Sequence, residues 1–262
     1  MNRSFNRRGA LAAFGSVSLG ALIAACGGGS DGDSTTDVST TDVSTTDGGT
    51  TTVEPKTRTG ASTAELFDDS SSCTLTVEET EGPYYFDADA IRSDIREDRE
   101  GTTLRLVLRI RDAESCQPIP NAVVDVWHCD ASGVYSGFEA ASTGAPAGGS
   151  GPTDEERYLR GAQVTDRDGI VEFITIYPGW YTGRTVHIHA KVHTDTTTML
   201  TTQLYFDEDV TATVYEQEPY TSDSGRDTFN DSDGIFDDVL LLSLSQEGDG
   251  YLGTQSFDVA SA

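Results

Sequence analysis

Short runs that alternate hydrophobic and polar residues recur along the chain from residue 102 onward. Such alternation is typical of β-strands with one buried face. Glycine, proline, asparagine and aspartate between the runs favour turns. The predicted strands lie within residues 104–112, 121–130, 158–181, 185–192, 201–209 and 237–260. Many short strands joined by such turns predict an all-β domain, a β-sandwich with long loops.

The run at residues 121–130 carries apolar residues on both faces. Alternation places Val123 and Trp127 on one face and Val124 and Val126 on the other. A strand without a purely polar face belongs in the middle of a sandwich. We therefore predict that this strand is central.

Other segments punctuate the strand pattern. The pair Asp168-Gly169 predicts a turn between two strands. Residues 139–156 are too rich in Gly, Ala and Ser for regular structure, and a loop of this length is often functional. No run has a convincing helical period, although residues 210–217 are ambiguous.

The first 25 residues have the pattern of an export signal. A basic start that includes Arg7-Arg8 precedes an apolar run at residues 11–25, which is short for a membrane span. The arginine pair resembles a twin-arginine signal, and LIAAC at residues 22–26 resembles a lipobox. We predict cleavage before Cys26, a lipid anchor on its thiol, and a domain held on the outer side of the cytoplasmic membrane. The alternative is an ordinary secretory signal with a coincidental cysteine.

Residues 26–72 are predicted to be a disordered spacer. They include the repeat STTDVSTTDVSTTD at residues 34–47, built from small polar and acidic residues. Ordering such a segment costs conformational entropy without burying apolar surface. The folded domain is therefore predicted to span residues 73–262.

The chain is strongly acidic, with a net charge of −27 at pH 7. Such a surface repels nucleic acids and anionic membranes. It also disfavours multiply anionic substrates. The charge does not identify a substrate.

Besides Cys26, the chain contains Cys73, Cys116 and Cys129. Outside the cytoplasm, two of these can form a disulfide. Cys116 lies in a predicted turn and Cys129 at the far end of the following strand, so we favour a Cys73–Cys116 pair over the others. The absence of a Cys-x-x-Cys spacing argues against a metal role.

The sequence YPGWYTGRTVHIH at residues 177–189 indicates a metal site. His187 and His189 are two residues apart in a predicted strand, so both rings point to one face and can bind one ion. The preceding Pro-Gly pair favours a turn that returns Tyr181 toward that face. A phenolate is a hard anionic donor that suits Fe(III) better than zinc or copper(I). The alternative is a hairpin whose histidines fill the core.

Five motifs agree in order and spacing with one known family. They are TEGPYY at 80–85, VWHCDASGVYSGF at 126–138, YLRGAQVTDRDG at 158–169, YPGWYTGRTVHIH at 177–189 and TTQLYF at 201–206. Together they resemble the intradiol ring-cleavage dioxygenases, non-haem ferric enzymes that open catechols between the two hydroxyls. The resemblance is close over residues 79–206 and looser toward the C-terminus. It implies the prealbumin-like β-sandwich core of that family.

The resemblance also implies roles for the matching residues. The ligands of one Fe(III) per chain would be Tyr135, Tyr181, His187 and His189. Arg184 would face the ring-cleavage site, with Gln203 beside it. The substrate pocket would be lined by Thr80, Pro83 and Tyr84, with Trp127 as a further wall. No metal role is assigned to His128 or His193.

The chemistry implied is oxidative ring opening. Two phenolates and one hydroxide would balance the charge of Fe(III) in a buried pocket. A catechol would bind as a dianion and displace the hydroxide and Tyr181, which would accept its two protons. Reaction with O2 would then give a cis,cis-muconic acid without an external reductant. Arg184 would stabilise negative charge that develops on the ring or on oxygen.

Two questions stay open at this point. The helical dimerisation segment of catechol-cleaving family members has no counterpart in this sequence, so the resemblance does not predict the oligomeric state. The resemblance also does not predict which catechol is the substrate. The alternative function is a surface-tethered, prealbumin-like binding module with a vestigial metal site.

Overall fold

The computed structural model describes residues 41–44, 50–53, 63–67, 73–88, 90–139, 151–194, 197–222 and 225–260. All of them belong to one compact unit. The predicted signal peptide and Cys26 lie outside the described residues, as do most of the spacer and of the loop at 139–156. No helix in the described part of the chain combines the length and the apolar character needed to span a bilayer.

Strands dominate the described regular structure. They are β1 (Thr41–Ser44), β2 (Thr50–Val53), β3 (Thr103–Asp112), β4 (Val123–Trp127), β5 (Arg160–Val164), β6 (Ile170–Ile176), β7 (His187–Thr194), β8 (Thr197–Tyr205), β9 (Ser243–Glu247) and β10 (Gly250–Val259). The helices are α1 (Glu208–Tyr215) and 3-10 turns at Thr63–Leu66, Tyr220–Ser222 and Asp238–Leu240.

Two four-stranded sheets form a β-sandwich, as predicted. The back sheet has the strand order β6-β3-β10-β9, and the front sheet has the order β5-β4-β7-β8. Strand β4 lies between β5 and β7, which confirms its predicted central position. A separate antiparallel pair, β1 and β2, lies within the predicted spacer.

The core fills the space between the two sheets because each strand alternates inward and outward side chains. Strand β3 contributes its leucines and Ile110 from the back sheet. The front sheet contributes Val124 and Val126 of β4, together with Ile188 and Val192 of β7. The residues of opposite parity on β4 and β7 therefore point away from the core, onto the outer face of the front sheet.

The predicted Asp168-Gly169 turn lies between β5 and β6 and connects the two sheets. Strand β5 pairs with β4 in the front sheet, and β6 pairs with β3 in the back sheet. Within the turn, the Asp166 carboxylate accepts hydrogen bonds from the backbone N–H groups of Asp168 and Ile170 at 3.0 and 2.9 Å. The sequence signal for a turn was correct, but local chemistry does not specify which strands pair on either side.

The C-terminal strand β10 pairs in parallel with β3 and antiparallel with β9. A buried ion pair joins the two parallel strands, with Arg111 Nε 2.7 Å from the Asp258 carboxylate. Asp258 also accepts a hydrogen bond from the Thr74 backbone. The last strand of the chain is thus tied into the middle of the back sheet.

Helix α1 forms over most of the segment whose sequence pattern is ambiguous. Its β-branched residues weaken helix propensity, which is why the sequence pattern is ambiguous. Asp207 caps the helix by accepting hydrogen bonds from the N–H groups of Asp209 and Val210. Burial of Thr211 and Val214 then favours the helical conformation.

Parts of the predicted spacer carry structure where they are described, unlike the featureless tether expected. Beyond the β1–β2 pair, Phe67 packs against Val107, Ile170 and Leu252 on the outer side of the back sheet. The Arg109 guanidinium lies 4.6 Å above the Phe67 ring. Folded contacts therefore begin before residue 73.

The favoured disulfide is confirmed, since Cys73 and Cys116 are bonded. Cys129 is buried and is not in a disulfide. The bond joins the segment that enters the domain to the turn that follows β3.

Candidate metal centre

The register of the front sheet places one row of side chains across its outer face. Trp127 of β4 lies between Arg160 of β5 and His189 of β7. His189 in turn lies opposite Gln203 of β8. Side chains of directly paired residues share a face, so these four residues form a continuous row.

The loop that carries Tyr135 and the turn that carries Tyr181 pack closely against each other, backbone against backbone. Tyr135 lies in the loop after β4, and Tyr181 lies in the turn before β7. A Cβ atom on Gly133, whose φ is +82°, would lie 2.1 Å from the Trp180 carbonyl oxygen. A Cβ on Gly179 would lie 2.5 Å from the Asp130 carbonyl oxygen. Glycine at both positions lets the two tyrosine-bearing segments approach.

The donor atoms of the four residues predicted as ligands lie close together at this point. His187 Nε2 lies 3.3 Å from Tyr135 Oη, 3.1 Å from Tyr181 Oη and 3.2 Å from His189 Nε2. The four side chains come from three separate segments, yet their heteroatoms occupy one small volume. His187, His189 and Tyr135 are each no more than 2% exposed.

Hydrogen bonding alone does not account for this cluster. His187 Nδ1 lies 2.7 Å from the Thr185 carbonyl oxygen, which can only accept, so Nδ1 carries the proton. Nε2 is then left with one lone pair, although three heteroatoms surround it. Metal–ligand bonds of about 2.0–2.2 Å at right angles place neighbouring ligand atoms about 3 Å apart. The spacing and chemistry of the four donors therefore fit one shared metal ion.

The donor set favours a hard metal ion. Within the described residues, no group of three or more His, Cys, Asp or Glu side chains could hold a metal ion. Any ion at this cluster must therefore use the tyrosines. Two phenolates with two imidazoles suit Fe(III), because a hard cation prefers anionic oxygen donors.

The two histidine rings are oriented by different contacts. The Thr185 carbonyl fixes the tautomer and direction of His187. His189 is held by stacking, because the Trp127 ring lies parallel to it at a centroid distance of 4.9 Å. Its Nδ1 atom is buried and has no hydrogen-bond partner in the described structure.

Trp127, which the resemblance suggested as a further wall of the substrate pocket, contacts a candidate metal ligand. The residue is 1% exposed and lies behind His189. Its other neighbour is Tyr85, at a centroid distance of 4.8 Å. Trp127 therefore packs between a candidate ligand and a residue of the predicted pocket segment.

Burial keeps all four donors neutral in the absence of a cation. It raises the pKa of Tyr135 well above its ordinary value, and the neighbouring Tyr181 adds to that rise. Burial likewise raises the pKa of Tyr181. It lowers the pKa of His187 to about 3 and that of His189 well below its usual range. Phenolates here need a positive charge beside them.

Arg184 and Gln203 lie together beside the cluster, as predicted. Arg184 Nη2 donates to Gln203 Oε1 at 2.5 Å, and Arg184 Nε donates to the Asp233 carboxylate at 2.9 Å. Burial opposes the charge on Arg184, but Tyr181 and Asp233 outweigh it and raise the pKa of the guanidinium. Arg184 is thus a fixed cation at the Tyr181 side of the site.

The predicted pocket segment lies over the same face. The Tyr84 ring stacks on Tyr135 at 4.7 Å and meets Tyr181 edge-on at 6.3 Å. The Thr80 carbonyl oxygen accepts a hydrogen bond from Gln203 Nε2 at 3.0 Å. Pro83 is exposed at the rim. Within this segment, Tyr84 contacts both candidate tyrosine ligands, and a Cβ atom on Gly82 would lie 3.2 Å from His189 Cε1.

Two functional neighbours escaped the sequence reasoning. Asp233 anchors Arg184 from 49 residues away, and nothing in its DSDG turn distinguishes it from other acidic turns. Arg160 lies in the motif YLRG, where a cation interrupts a strand buried on both faces. That charge in a buried strand is a signal that could have been noticed.

His128 and His193 lie away from the metal ligands, in agreement with the sequence reasoning. The His128 ring nitrogens contact the Cys129 carbonyl oxygen and Thr175 Oγ1, both at 2.7 Å. His193 Nε2 lies 2.7 Å from the Asp125 carboxylate. His128 thus links the start of the Tyr135 loop to the back sheet.

Comparison with known proteins adds to this geometry. A profile of the family described as Dioxygenase matches residues 80–217, just over half of the chain. The matched part contains the four candidate ligands, Arg184 and Gln203.

Two characterised relatives are similar over the same region. The chlorocatechol 1,2-dioxygenase of Rhodococcus opacus is 32% identical over 134 residues, which cover 44% of this chain and 48% of the relative. The catechol 1,2-dioxygenase of Acinetobacter baylyi is 32% identical over 133 residues, which cover 43% of this chain and 39% of the relative. The chain therefore spans less than half the length of each relative.

Among solved structures, an intradiol ring-cleavage dioxygenase from Tetranychus urticae matches with a TM-score of 0.67 and 35% identity. The match covers 72% of this chain and 95% of that chain. The similarity therefore extends over nearly the whole of that structure.

Proposed function

Because the chain belongs to the intradiol ring-cleavage dioxygenase family, we propose that it opens a catechol-type aromatic ring between its two hydroxyls, with O2 as co-substrate. The product would be a cis,cis-muconate-type acid. The observation that carries the proposal is the convergence of Tyr135, Tyr181 and His189 on His187 Nε2 within 3.3 Å. A vestigial binding module would have no need to preserve all four donors in this arrangement.

Fe(III) held by Tyr135, Tyr181, His187 and His189 would supply the Lewis acidity and the electron transfer toward O2 that this reaction needs. The side chains prepare the site for that charge. Thr185 presents the Nε2 lone pair of His187 to the cluster. The stacked Trp127 ring holds His189 in place.

Tyr181 is suited to receive a substrate proton. It is partly exposed, whereas Tyr135 is fully buried, so Tyr181 is the ligand that an entering catechol can reach. Burial raises the pKa of its hydroxyl, which makes the phenolate oxygen a strong base toward a catechol hydroxyl. Transfer of one catechol proton to Tyr181 Oη would release this tyrosine from its ligand role.

Arg184 and Gln203 would act on the substrate ring. The Arg184 guanidinium is held from one side by Asp233 and from the other by Gln203. A cation fixed in a partly buried site stabilises negative charge without having to reorganise. Arg184 would therefore stabilise charge that develops on the ring or on oxygen during cleavage.

The charges near Arg184 favour a catechol without a carboxylate. The Arg184 guanidinium already forms an ion pair with Asp233. Burial, with help from Asp233 and Asp237, raises the pKa of Glu79, which places these acids near one another. A substrate carboxylate would add another anion to this group. We expect catechol or an alkyl catechol to react faster than protocatechuate.

The test is oxygen uptake by the iron-loaded full chain with a panel of catechols, with the ring-opened acid followed in the ultraviolet. We expect about one iron per chain, a visible phenolate-to-iron absorption band, and one O2 consumed for each ring opened. A colourless protein that binds no iron, or an iron-loaded protein that consumes no O2 with any catechol, would refute the proposal.

We further propose that the domain works outside the cytoplasm, anchored through a lipid on Cys26. The Cys73–Cys116 disulfide supports an oxidising compartment. Fractionation of expressing bacteria tests the anchor. The parent chain should sediment with membranes and the Cys26→Ala variant should remain soluble, whereas a soluble parent would contradict the proposal.

A further inference from the structure

Arg160 is a buried cation beside the Tyr135 loop. It begins β5 and is 2% exposed. Its Nε atom donates to Ser136 Oγ at 2.9 Å, and its Nη2 atom donates to the Ser136 carbonyl oxygen at 2.8 Å. Ser136 directly follows Tyr135 in the chain. The guanidinium therefore grips the peptide that carries a candidate metal ligand.

No carboxylate of the described residues forms an ion pair with this guanidinium, whose polar partners are the two Ser136 oxygens. Its Nη1 atom is buried and has no hydrogen-bond partner in the described structure. Burying a charge without a counter-charge is costly. The position of Arg160 thus calls for a nearby anion.

Aromatic rings surround the guanidinium. Its Cζ atom lies 4.3 Å from the Phe86 ring centroid, 5.7 Å from that of Phe138 and 6.0 Å from that of Tyr135. Of these three rings, only the Tyr135 ring can become an anion. A phenolate on Tyr135 would place a negative charge beside the buried guanidinium, on which the Asp154 carboxylate also acts.

We propose that Arg160 is a positioning residue for Tyr135, which it holds through Ser136 and whose phenolate form it stabilises by its charge. The inference rests on the proposed ferric site and adds a residue to it. Ser136 Oγ also donates to the Tyr158 carbonyl oxygen at 2.7 Å. These hydrogen bonds therefore link the Tyr135 loop to the segment just before β5. Arg160 acts through Tyr135 and Ser136 and does not itself contact the substrate.

The experiment measures ferric-ion affinity and the visible absorption band of the full chain, by titration against a competing chelator. Arg160→Met removes the charge and the hydrogen bonds. Arg160→Lys keeps the charge but cannot donate both hydrogen bonds to Ser136. Ser136→Ala removes one of the two acceptors, the hydroxyl oxygen. The control is Arg99→Met, because Arg99 also lies over a tyrosine, at 4.4 Å from the Tyr158 ring, away from the ligands.

In Arg160→Met we expect ferric affinity to fall about 10- to 100-fold, as for other groups that support a ligand. The band should move to longer wavelength, because loss of a nearby cation raises the energy of the phenolate electrons. Arg160→Lys and Ser136→Ala should bind iron more weakly with the band near its original position. Arg99→Met should change neither quantity.

A merely structural arginine would lower the melting temperature and leave the band and the affinity per folded chain unchanged. That result in Arg160→Met would overturn the inference. If this variant does not fold, unchanged affinity in both Arg160→Lys and Ser136→Ala would overturn it equally. A parent chain without ferric binding would refute the proposed function itself, which separates the two failures.

Discussion

The two sides of the metal centre differ in how firmly they hold their tyrosine. On the buried side, Tyr135 is fully buried, and Arg160 grips the adjacent Ser136. On the open side, Tyr181 is partly exposed and is followed by the exposed residues Thr182 and Gly183. A Cβ atom on Gly183 would meet nothing within 4 Å, so this turn borders open space.

This difference suggests a division of labour between two chemically identical ligands. A fully packed side chain cannot move without opening a cavity, so Tyr135 suits a permanent ligand. A side chain beside open space can change position at lower cost, so Tyr181 suits a ligand that yields to substrate. Surroundings, and not residue type, set the two roles.

The largest effects should come from removing each phenol oxygen in turn. Tyr135→Phe should lower ferric affinity by more than about 100-fold, because it removes an anionic ligand from the buried side. Tyr181→Phe should abolish ring cleavage, but this variant should retain more iron than Tyr135→Phe. Metal analysis after dialysis, together with O2 uptake, checks this order. Equal iron retention in the two variants would contradict the division of labour.

The next largest effect should come from replacing Asp233, which holds Arg184 on the open side. Asp233→Asn keeps the shape of the side chain but removes the charge that pairs with Arg184 Nε at 2.9 Å. We expect the ring-cleavage rate to fall about 10- to 100-fold with the iron content unchanged.

A matched control for that variant is Asp227→Asn. Asp227 accepts a hydrogen bond from the backbone of Gly183 in the same turn, but it is not bonded to Arg184. Its replacement should change the rate by less than about threefold. Similar losses in both variants would show that the turn as a whole, and not the Arg184 anchor, controls the rate.

A smaller effect concerns His128, which ties the buried side to the core. Burial lowers the pKa of His128 to about 4, whereas an unfolded histidine has a pKa of about 6.5. Between these values the unfolded chain binds the extra proton, so stability present above pH 6.5 is lost as the pH falls toward 4. The contribution is about 1.4 kcal/mol per pH unit within that window.

Urea unfolding of the metal-free protein from pH 7 to pH 4.5 measures the pH dependence of stability. His128→Gln should reduce this dependence and leave the part that comes from His187 and His189, whose pKa values burial also lowers. The carbonyl of Cys129 and the hydroxyl of Thr175 can still bond to a glutamine amide. The same slope in parent and variant would assign the acid sensitivity to other groups.

The smallest effect is expected at Tyr84, whose ring contacts both ligand tyrosines. Tyr84→Phe keeps both ring contacts and should leave KM for catechol nearly unchanged. Tyr84→Ala removes them and should raise KM about 2- to 10-fold, the usual worth of an aromatic contact. Steady-state kinetics checks both variants. A large loss in Tyr84→Phe would instead give the hydroxyl a catalytic role.

Much of the fold and the ligand set could be predicted because they depend on local patterns. Alternation along β3, β4 and β8 identified the strands, and the two-residue spacing placed His187 and His189 on one face. The Pro-Gly turn correctly returned Tyr181 to that face. Tyr135 was identified as a candidate ligand from the order of the motifs and not from strand geometry.

The failures concern pairings that the local sequence does not encode. Alternation does not say that β10 lies parallel to β3, or that β5 and β6 belong to different sheets. Helix α1 forms against the propensity of its residues because of a cap and tertiary packing. Parity places Trp127 on the outer face but does not say what covers it, and the structure shows His189 and Tyr85 there.

The central place of β10 in the back sheet has a consequence for how the chain acquires its structure. The front sheet is complete once synthesis reaches Tyr205, whereas the back sheet needs residues up to Val259. Pairing the ends of a domain is slow, because a long loop must close before the contacts form. Until β10 docks, the inner face of the front sheet lacks part of its cover. The two candidate histidine ligands thus lie on the sheet that can assemble early, while β10 completes the support beneath them.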